Sequence, residues 1–213
     1  MDGSTAKTIY LYVLNTMADW EVGQAIAELN SQRFFAERKD WLVKTFSLAK
    51  EPVVTMGGIK IVPDFSADEV KTEDAVMLIL PGADIWMDPS QAIVLDIAKR
   101  FLSAEIPVAA ICGATIALAE AGMLDNVKHT SNGLPYLKMV CSNYKGDQHY
   151  QNELAVTDKN LITAGSTSQV EFAYHILKKL EVFESNNLEY WYGYFGKHSI
   201  EDFLKLFEAI QSK

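Results

Sequence analysis

Cysteine is scarce: Cys112 and Cys141 are the only two in 213 residues. That is too few for a disulfide framework, and neither has His or Cys neighbours at zinc-ligand spacing. The expectation is two reduced thiols, no metal and no cofactor. No stretch reaches the roughly 18 apolar residues needed to span a bilayer, and Met1-Asp2-Gly3-Ser4-Thr5-Ala6-Lys7 lacks the basic region and apolar run of a secretion signal. The protein is therefore expected in the cytoplasm, away from membrane. Positive charge is also short, with 19 Lys and Arg against 28 Asp and Glu and a net charge of −9. Such a balance opposes binding to phosphate backbones or anionic lipid, so nucleic acid is not an expected partner. Repeats, low-complexity runs and Pro/Ser-rich linkers are missing too. A chain of this length that is 49% hydrophobic is expected to form a single domain over 1–213.

What the sequence does contain is alternation of strand and helix patterns. Thr8 to Leu14 is apolar on both faces, as a strand buried between two helical layers should be. Asp19 to Gln32 then has helical spacing, with Val22, Ile26 and Leu29 on one stripe and Asp19 available as N-cap. Trp41 to Leu48 reads as a strand, and Gly57-Gly58 before Ile59 to Val62 as a turn and a short extra strand. Ala75 to Leu80 is another apolar strand, ending in Pro81-Gly82, and Pro89 to Ser103 is a helix with proline in its first turn. Pro107 to Ile111 continues as strand and Thr115 to Ala121 as helix. Short strands are expected at Val127 to Thr130 and Leu161 to Thr163, with helices near Leu134 to Tyr144 and Ser168 to Leu180. This order predicts an α/β fold, a doubly wound, mostly parallel sheet sandwiched between helices. The core spans about 8–182. Residues 184–213 form a helical C-terminal extension rich in Tyr, Trp and Phe, with Phe203, Leu204, Leu206, Phe207 and Ile210 on the apolar face of its last helix. This extension is expected to fold back onto its own domain.

Cys112 falls between the strand at 107–111 and the helix that follows. Ligands of doubly wound sheets bind beyond the carboxyl ends of strands, where loops enter helix N-termini. Small Gly113 and Ala114 permit the sharp turn that projects the thiol into solvent. The positive end of the helix favours thiolate, so the expected pKa shift is downward. Apolar strand, Cys, Gly is a short signal, and an ordinary buried thiol fits it as well. Cys141 has no activating motif and is expected to be inert.

Ala109-Ala110-Ile111-Cys112-Gly113-Ala114-Thr115 followed by Leu118-Ala119-Glu120-Ala121-Gly122-Met123-Leu124 resembles the nucleophile-elbow region of the ThiJ/PfpI family. The resemblance extends to Leu80-Pro81-Gly82-Ala83, to Ala18-Asp19-Trp20-Glu21, and to the stretch from Asn160 to Thr167 leading into Glu171-Phe172-Ala173. It implies a flavodoxin-like, class I glutamine amidotransferase-like fold. It also implies that an acid on the first helix meets the cysteine. Spacing maps this role best to Glu21, with Asp19 as competitor; two residues on a helix differ by roughly 200°, so at most one faces the thiol. A protonated Glu21 would donate a hydrogen bond to thiolate or sulfinate. Backbone N–H groups of Gly82, Ala83 and Gly113 would form an oxyanion hole. Ala83 departs from the Gly-Gly often present there.

A larger departure is Asn132, which occupies the position where many family enzymes carry histidine. An amide orients substrate or anion but does not shuttle protons. His129 lies on the opposite face by strand alternation and would need a bulge to substitute, and His149, His175 and His198 carry no motif. The reading that follows is a cysteine-dependent hydrolase or amidase, or a carbonyl-processing enzyme of glyoxalase or deglycase type, acting on a small molecule. The alternatives are a redox or stress-response protein oxidised at Cys112, or a non-catalytic binding relative. A homodimer is implied by the family.

Overall fold

The computed structural model describes residues 6–184 and 186–211. The N-terminal stretch read for a secretion signal lies mostly outside these residues, as do the last two residues of the extension.

Strand β1 (Lys7–Tyr12) leads to helix α1 (Asp19–Ser31), then β2 (Trp41–Ser47), a hairpin of β3 (Val53–Val54) and β4 (Lys60–Ile61), β5 (Phe65–Ser66) and β6 (Ala75–Leu80). Helix α2 (Ala92–Ser103), β7 (Val108–Ile111), α3 (Gly113–Glu120), α4 (Leu134–Val140), β8 (Ala155–Asp158), β9 (Leu161–Ala164), α5 (Gln169–Lys179), α6 (Asn187–Lys197) and α7 (Ile200–Gln211) follow. Seven strands form one sheet in the order β5-β2-β1-β6-β7-β9-β8. All its pairings are parallel except β8 with β9. This is the doubly wound α/β arrangement expected from the alternation of patterns, and the flavodoxin-like fold that the resemblance implies.

Physical causes are plain in the central strands. Ile79, Leu80, Ala109, Ala110 and Ile111 are all buried, because helices cover both sheet faces and leave no side for polar residues. From β1 the chain goes outward to β2 and later returns to β6 on β1's other side. The order thus reverses between β1 and β6, which places a crevice at their carboxyl ends.

Two expectations need correction. Val127 to Thr130 is not a strand; a single bridge joins His129 to Tyr150. Its backbone donors are used elsewhere: Lys128 N–H donates to Asp158 Oδ2 (2.8 Å) and Thr130 N–H to Thr163 Oγ1 (2.9 Å). Strand β8 was absent from the sequence reading. It pairs antiparallel with β9 through a hairpin in which Asp158 faces Leu161 and Lys159 has a φ of 52°, a left-handed turn built without the glycine that usually announces one.

The aromatic extension folds back as expected. Trp191 is 0% exposed, and its Nε1 donates to Glu28 Oε1 at 3.2 Å. The same carboxylate accepts from Arg33 Nε and Nη2, at 3.0 and 2.5 Å, so this buried charge is paired and hydrogen-bonded. Helix α6 packs on α5, and α7 on α6. Of the apolar face expected on α7, Leu206 is buried, whereas Phe203, Leu204 and Phe207 remain exposed. Among the described residues, no helix is long and apolar enough to cross a membrane.

Candidate active site around Cys112

Cys112 follows β7 directly and caps α3 with φ 57° and ψ −121°, a conformation L-residues avoid and one that must be held by its surroundings. The restraints are local. Cys112 N–H donates to Ala164 O (3.0 Å), and its carbonyl accepts from Thr115 N–H (3.0 Å) and Thr115 Oγ1 (2.6 Å). Thr115 Oγ1 also lies 2.7 Å from Ser131 Oγ, so the elbow is tied to the loop that carries Asn132. Gly113 permits the turn, since a Cβ there would lie 2.7 Å from Ala83 O.

Glu21, in the first turn of α1, is 0% exposed. Its Oε2 accepts from Gly82 N–H at 2.7 Å, while Oε1 is buried with no hydrogen-bond partner among the described residues, and the carboxyl interacts with the Cys112 thiol. Gly82 shows how tightly these groups converge: a Cβ on it would lie 2.5 Å from Glu21 Oε2 and 2.7 Å from Cys112 Cβ. Burial raises the Glu21 carboxyl pKa above its usual range, against hydrogen bonds from Cys112 and Gly82 that lower it.

Asp19 does not meet the thiol, and it is not the N-cap either; Ala18 caps α1. The Asp19 carboxylate instead accepts from Gly57 N–H through Oδ2 (2.6 Å) and pins the β3–β4 turn. The rotation between Asp19 and Glu21 decides this, one facing the hairpin and the other the sheet.

The backbone donors also differ from expectation. Gly82 N–H is consumed by Glu21 and so cannot serve an oxyanion. Gly113 N–H is directed to the Cys112 sulfur, and Ala83 N–H makes no hydrogen bond among the described residues. Ala83 and Gly113 both line the cavity into which Cys112 opens.

Asn132 Nδ2 donates to Cys112 Sγ at 3.4 Å, and its Oδ1 accepts from Ser166 N–H at 2.8 Å. The second bond fixes which end of the amide faces sulfur. The expected downward shift of the Cys112 pKa is not found. Burial dominates and pushes the thiol up to about 11; the Asn132 hydrogen bond works downward and the Glu21 charge upward. Gly113 N–H, at the start of α3, also works downward.

No histidine fills the vacant role. His129 is 0% exposed, with Nδ1 2.7 Å from Val127 O and Nε2 2.7 Å from Tyr144 Oη, so both ring nitrogens are used within the fold. His175 pairs with Thr157 Oγ1, His198 caps α6, and His149 lies beside Gln148. Cys141 is buried with its sulfur toward Ile116 O. Among the described residues, no group of three or more His, Cys, Asp or Glu is placed to hold a metal ion.

Sequence reasoning missed the walls. Trp86, Met87, Ile116 and Tyr136 line the cysteine cavity with Asn132, and Trp86 is set by its Nε1 hydrogen bond to Pro81 O (2.7 Å). The signal was an aromatic residue just after the Pro81-Gly82 strand end, where crevice walls arise. Ser166 carried no comparable signal, because it acts through its backbone.

The DJ-1/PfpI family profile matches residues 7–179. The chain is 43% identical over 205 residues to "Uncharacterized protease YoaZ" of Bacillus subtilis (strain 168), covering 96% of this chain and 98% of that protein. It is 34% identical to "Uncharacterized protease YdeA" of the same organism, covering 86% and 87%. The crystal structure of a thiJ/pfpI family protein from Bacillus anthracis superimposes with a TM-score of 0.91 at 46% identity, covering 95% of this chain and 96% of that one. With the profile spanning the whole sheet and the elbow cysteine, the chain belongs to the DJ-1/PfpI family.

Proposed function

We propose that this chain is a cysteine-dependent hydrolase of small amides or related carbonyl compounds, with Cys112 as nucleophile and Glu21 as its proton acceptor. The observation that carries this reading is the convergence of both side chains over Gly82, where a single added methyl would collide with each. Relatives named as proteases support it.

Burial pushes the Cys112 thiol up to about 11 and raises the Glu21 carboxyl above its usual range, which argues for a resting thiol rather than a thiolate. As Cys112 Sγ bonds to the substrate carbonyl carbon, the thiol proton passes to Glu21 Oε1 and negative charge develops on oxygen beside Ala83 N–H. Collapse breaks the C–N bond, and the proton held by Glu21 goes to the departing nitrogen. Water then cleaves the thioester, releasing carboxylic acid and restoring the thiol, so the net change is amide plus water to acid plus amine. Asn132 orients sulfur through Nδ2 without taking a proton.

The same high thiol pKa weighs against the peroxide-sensing alternative, because it is the thiolate that attacks peroxide. A non-catalytic binding relative would keep the cavity without the proton path from Cys112 to Glu21. The proposed setting is a cytoplasmic homodimer.

The test is a screen of short peptides, aryl amides and aldehydes against wild type, Cys112→Ala and Glu21→Gln. Loss of turnover in the first variant and a drop of about 10²-fold or more in the second are expected. Turnover that survives Cys112→Ala overturns the reading.

A further inference from the structure

We infer that the substrate is a two-armed, non-anionic molecule: an apolar acyl group seated against Trp86 and Tyr136, joined through the reacting carbonyl to an uncharged or cationic, hydrogen-bonding leaving arm that lies beyond Asn132. This rests on the hydrolase reading above and gives its substrate class.

Two cavities share Asn132 in their linings. The first, of about 300 Å³, contains Cys112 and is walled by Trp86, Met87, Ile116, Tyr136 and Val140. The second, of about 490 Å³, is a trough lined by Ser131, Tyr150, Asn152, Ser166, Thr167 and Ser168, among others. Each volume lies within the roughly 300–1,000 Å³ of small-molecule sites or at its lower edge. Asn132 lines both cavities, so a ligand that reaches from one to the other passes its side-chain amide.

The cysteine cavity is the more apolar of the two and the trough the more polar, and the reacting groups assign the arms. Cys112, Ala83 and Gly113 all open into the apolar cavity, so the carbonyl and its acyl substituent belong there. The leaving group must then extend past Asn132 into the trough, where hydroxyl and amide groups offer donors and acceptors at every turn. A chain with several amide or hydroxyl groups matches that lining, whereas an alkyl chain would leave the polar groups unpaired.

Charge supplies the exclusion. Asp84 is the single carboxylate on the side of Cys112, where the other ionisable groups are the Cys112 thiol and the Tyr136 phenol, and Glu153 is the single carboxylate in the trough, beside the Tyr150 phenol. Neither cavity is lined by Lys, Arg or His, and Glu21 lies buried behind the thiol. A carboxylate or phosphate entering either arm would lose water without gaining a counter-charge, in a protein whose net charge is already −9. An amine would meet Asp84 or Glu153 favourably.

The experiment measures Cys112 alkylation at pH 9 by mass spectrometry with iodoacetamide, iodoacetate and N-benzyl iodoacetamide, each rate divided by that of 2-mercaptoethanol. The normalised iodoacetamide rate should exceed that of iodoacetate by about tenfold, and the Asp84→Asn/Glu153→Gln double variant should narrow that gap. N-benzyl iodoacetamide should be the fastest of the three, with Tyr136→Ala, a change at an exposed position, removing its advantage. Normalised rates that are equal for the neutral and anionic reagents, or a benzyl effect untouched at Tyr136, overturn the inference. No labelling of Cys112 by any reagent overturns both this inference and the reactive thiol it rests on. Selective labelling without hydrolysis of any amide overturns the hydrolase reading while supporting the ligand class.

Discussion

Asn132 donates from Nδ2 to the sulfur of Cys112 at 3.4 Å while its Oδ1 is held by Ser166 N–H. The amide therefore acts as a fixed donor at the place where the family resemblance leads one to expect an imidazole. It favours negative charge on sulfur and offers no basic site, so in the proposed reaction proton removal is assigned to Glu21.

Replacing Asn132 by Asp puts an acceptor and a charge where a donor stood. The Cys112 pKa, already pushed to about 11, should rise further, and iodoacetamide labelling at pH 9 should fall by about tenfold for each pKa unit gained. Labelling at the wild-type rate would show that Asn132 does not contact the thiol in solution.

Glu21 predicts a pH dependence of stability with a definite sign. Its carboxyl pKa is raised in the folded protein, so the native state binds the proton more tightly than the unfolded chain. The stability this gives is fully present below the ordinary glutamate range and is lost as pH rises through the folded value. Glu21→Gln cannot ionise, so its unfolding free energy should gain on wild type with rising pH. Denaturant titrations from pH 4 upward that show a constant difference between the two proteins would contradict this. In the same variant, the midpoint of the Cys112 labelling profile should move below about 11, because the Glu21 charge no longer opposes thiolate.

Gly82→Ala tests the packing of the site. Its methyl would meet both Glu21 Oε2 and Cys112 Cβ at distances that contacts do not tolerate. A loss of about 1–3 kcal/mol in unfolding free energy is expected from overpacking, together with loss of turnover. Full activity and stability in this variant would mean that Glu21 and Cys112 stand farther apart than described.

Trp191→Ala should cost about 3–5 kcal/mol, the usual range for deleting a buried large aromatic, and leaves Glu28 with Arg33 and Gln24 as its hydrogen-bond donors. Hydrogen exchange should show faster opening of α6 and α7, with the central strands affected less. Unchanged protection in α6 would indicate that its docking depends on other contacts.

Much of the fold was legible because central strands are apolar on both faces and helices repeat every 3.6 residues. Residues 75–80 and 108–111 therefore announce themselves. Strand β8 did not, since Ala155-Val156-Thr157-Asp158 is short and half exposed and turns back through Lys159 rather than glycine. The segment from Val127 to Thr130 has strand composition but spends its donors on Asp158 and Thr163 side chains, and no local pattern encodes partners 30 or more residues away.

At the site, local covalent order determined that Cys112 stands between strand and helix, with small residues after it that permit the elbow, and that Asn132 removes an imidazole. The choice between Asp19 and Glu21, the capture of Gly82 N–H, the facing side of the Asn132 amide and the upward shift of the thiol were decided by tertiary structure. Each depends on groups from α1, the end of β6, the elbow and the 131–132 loop meeting in one crevice. Hydrogen-bond allocation and desolvation belong to that three-dimensional meeting rather than to any one segment.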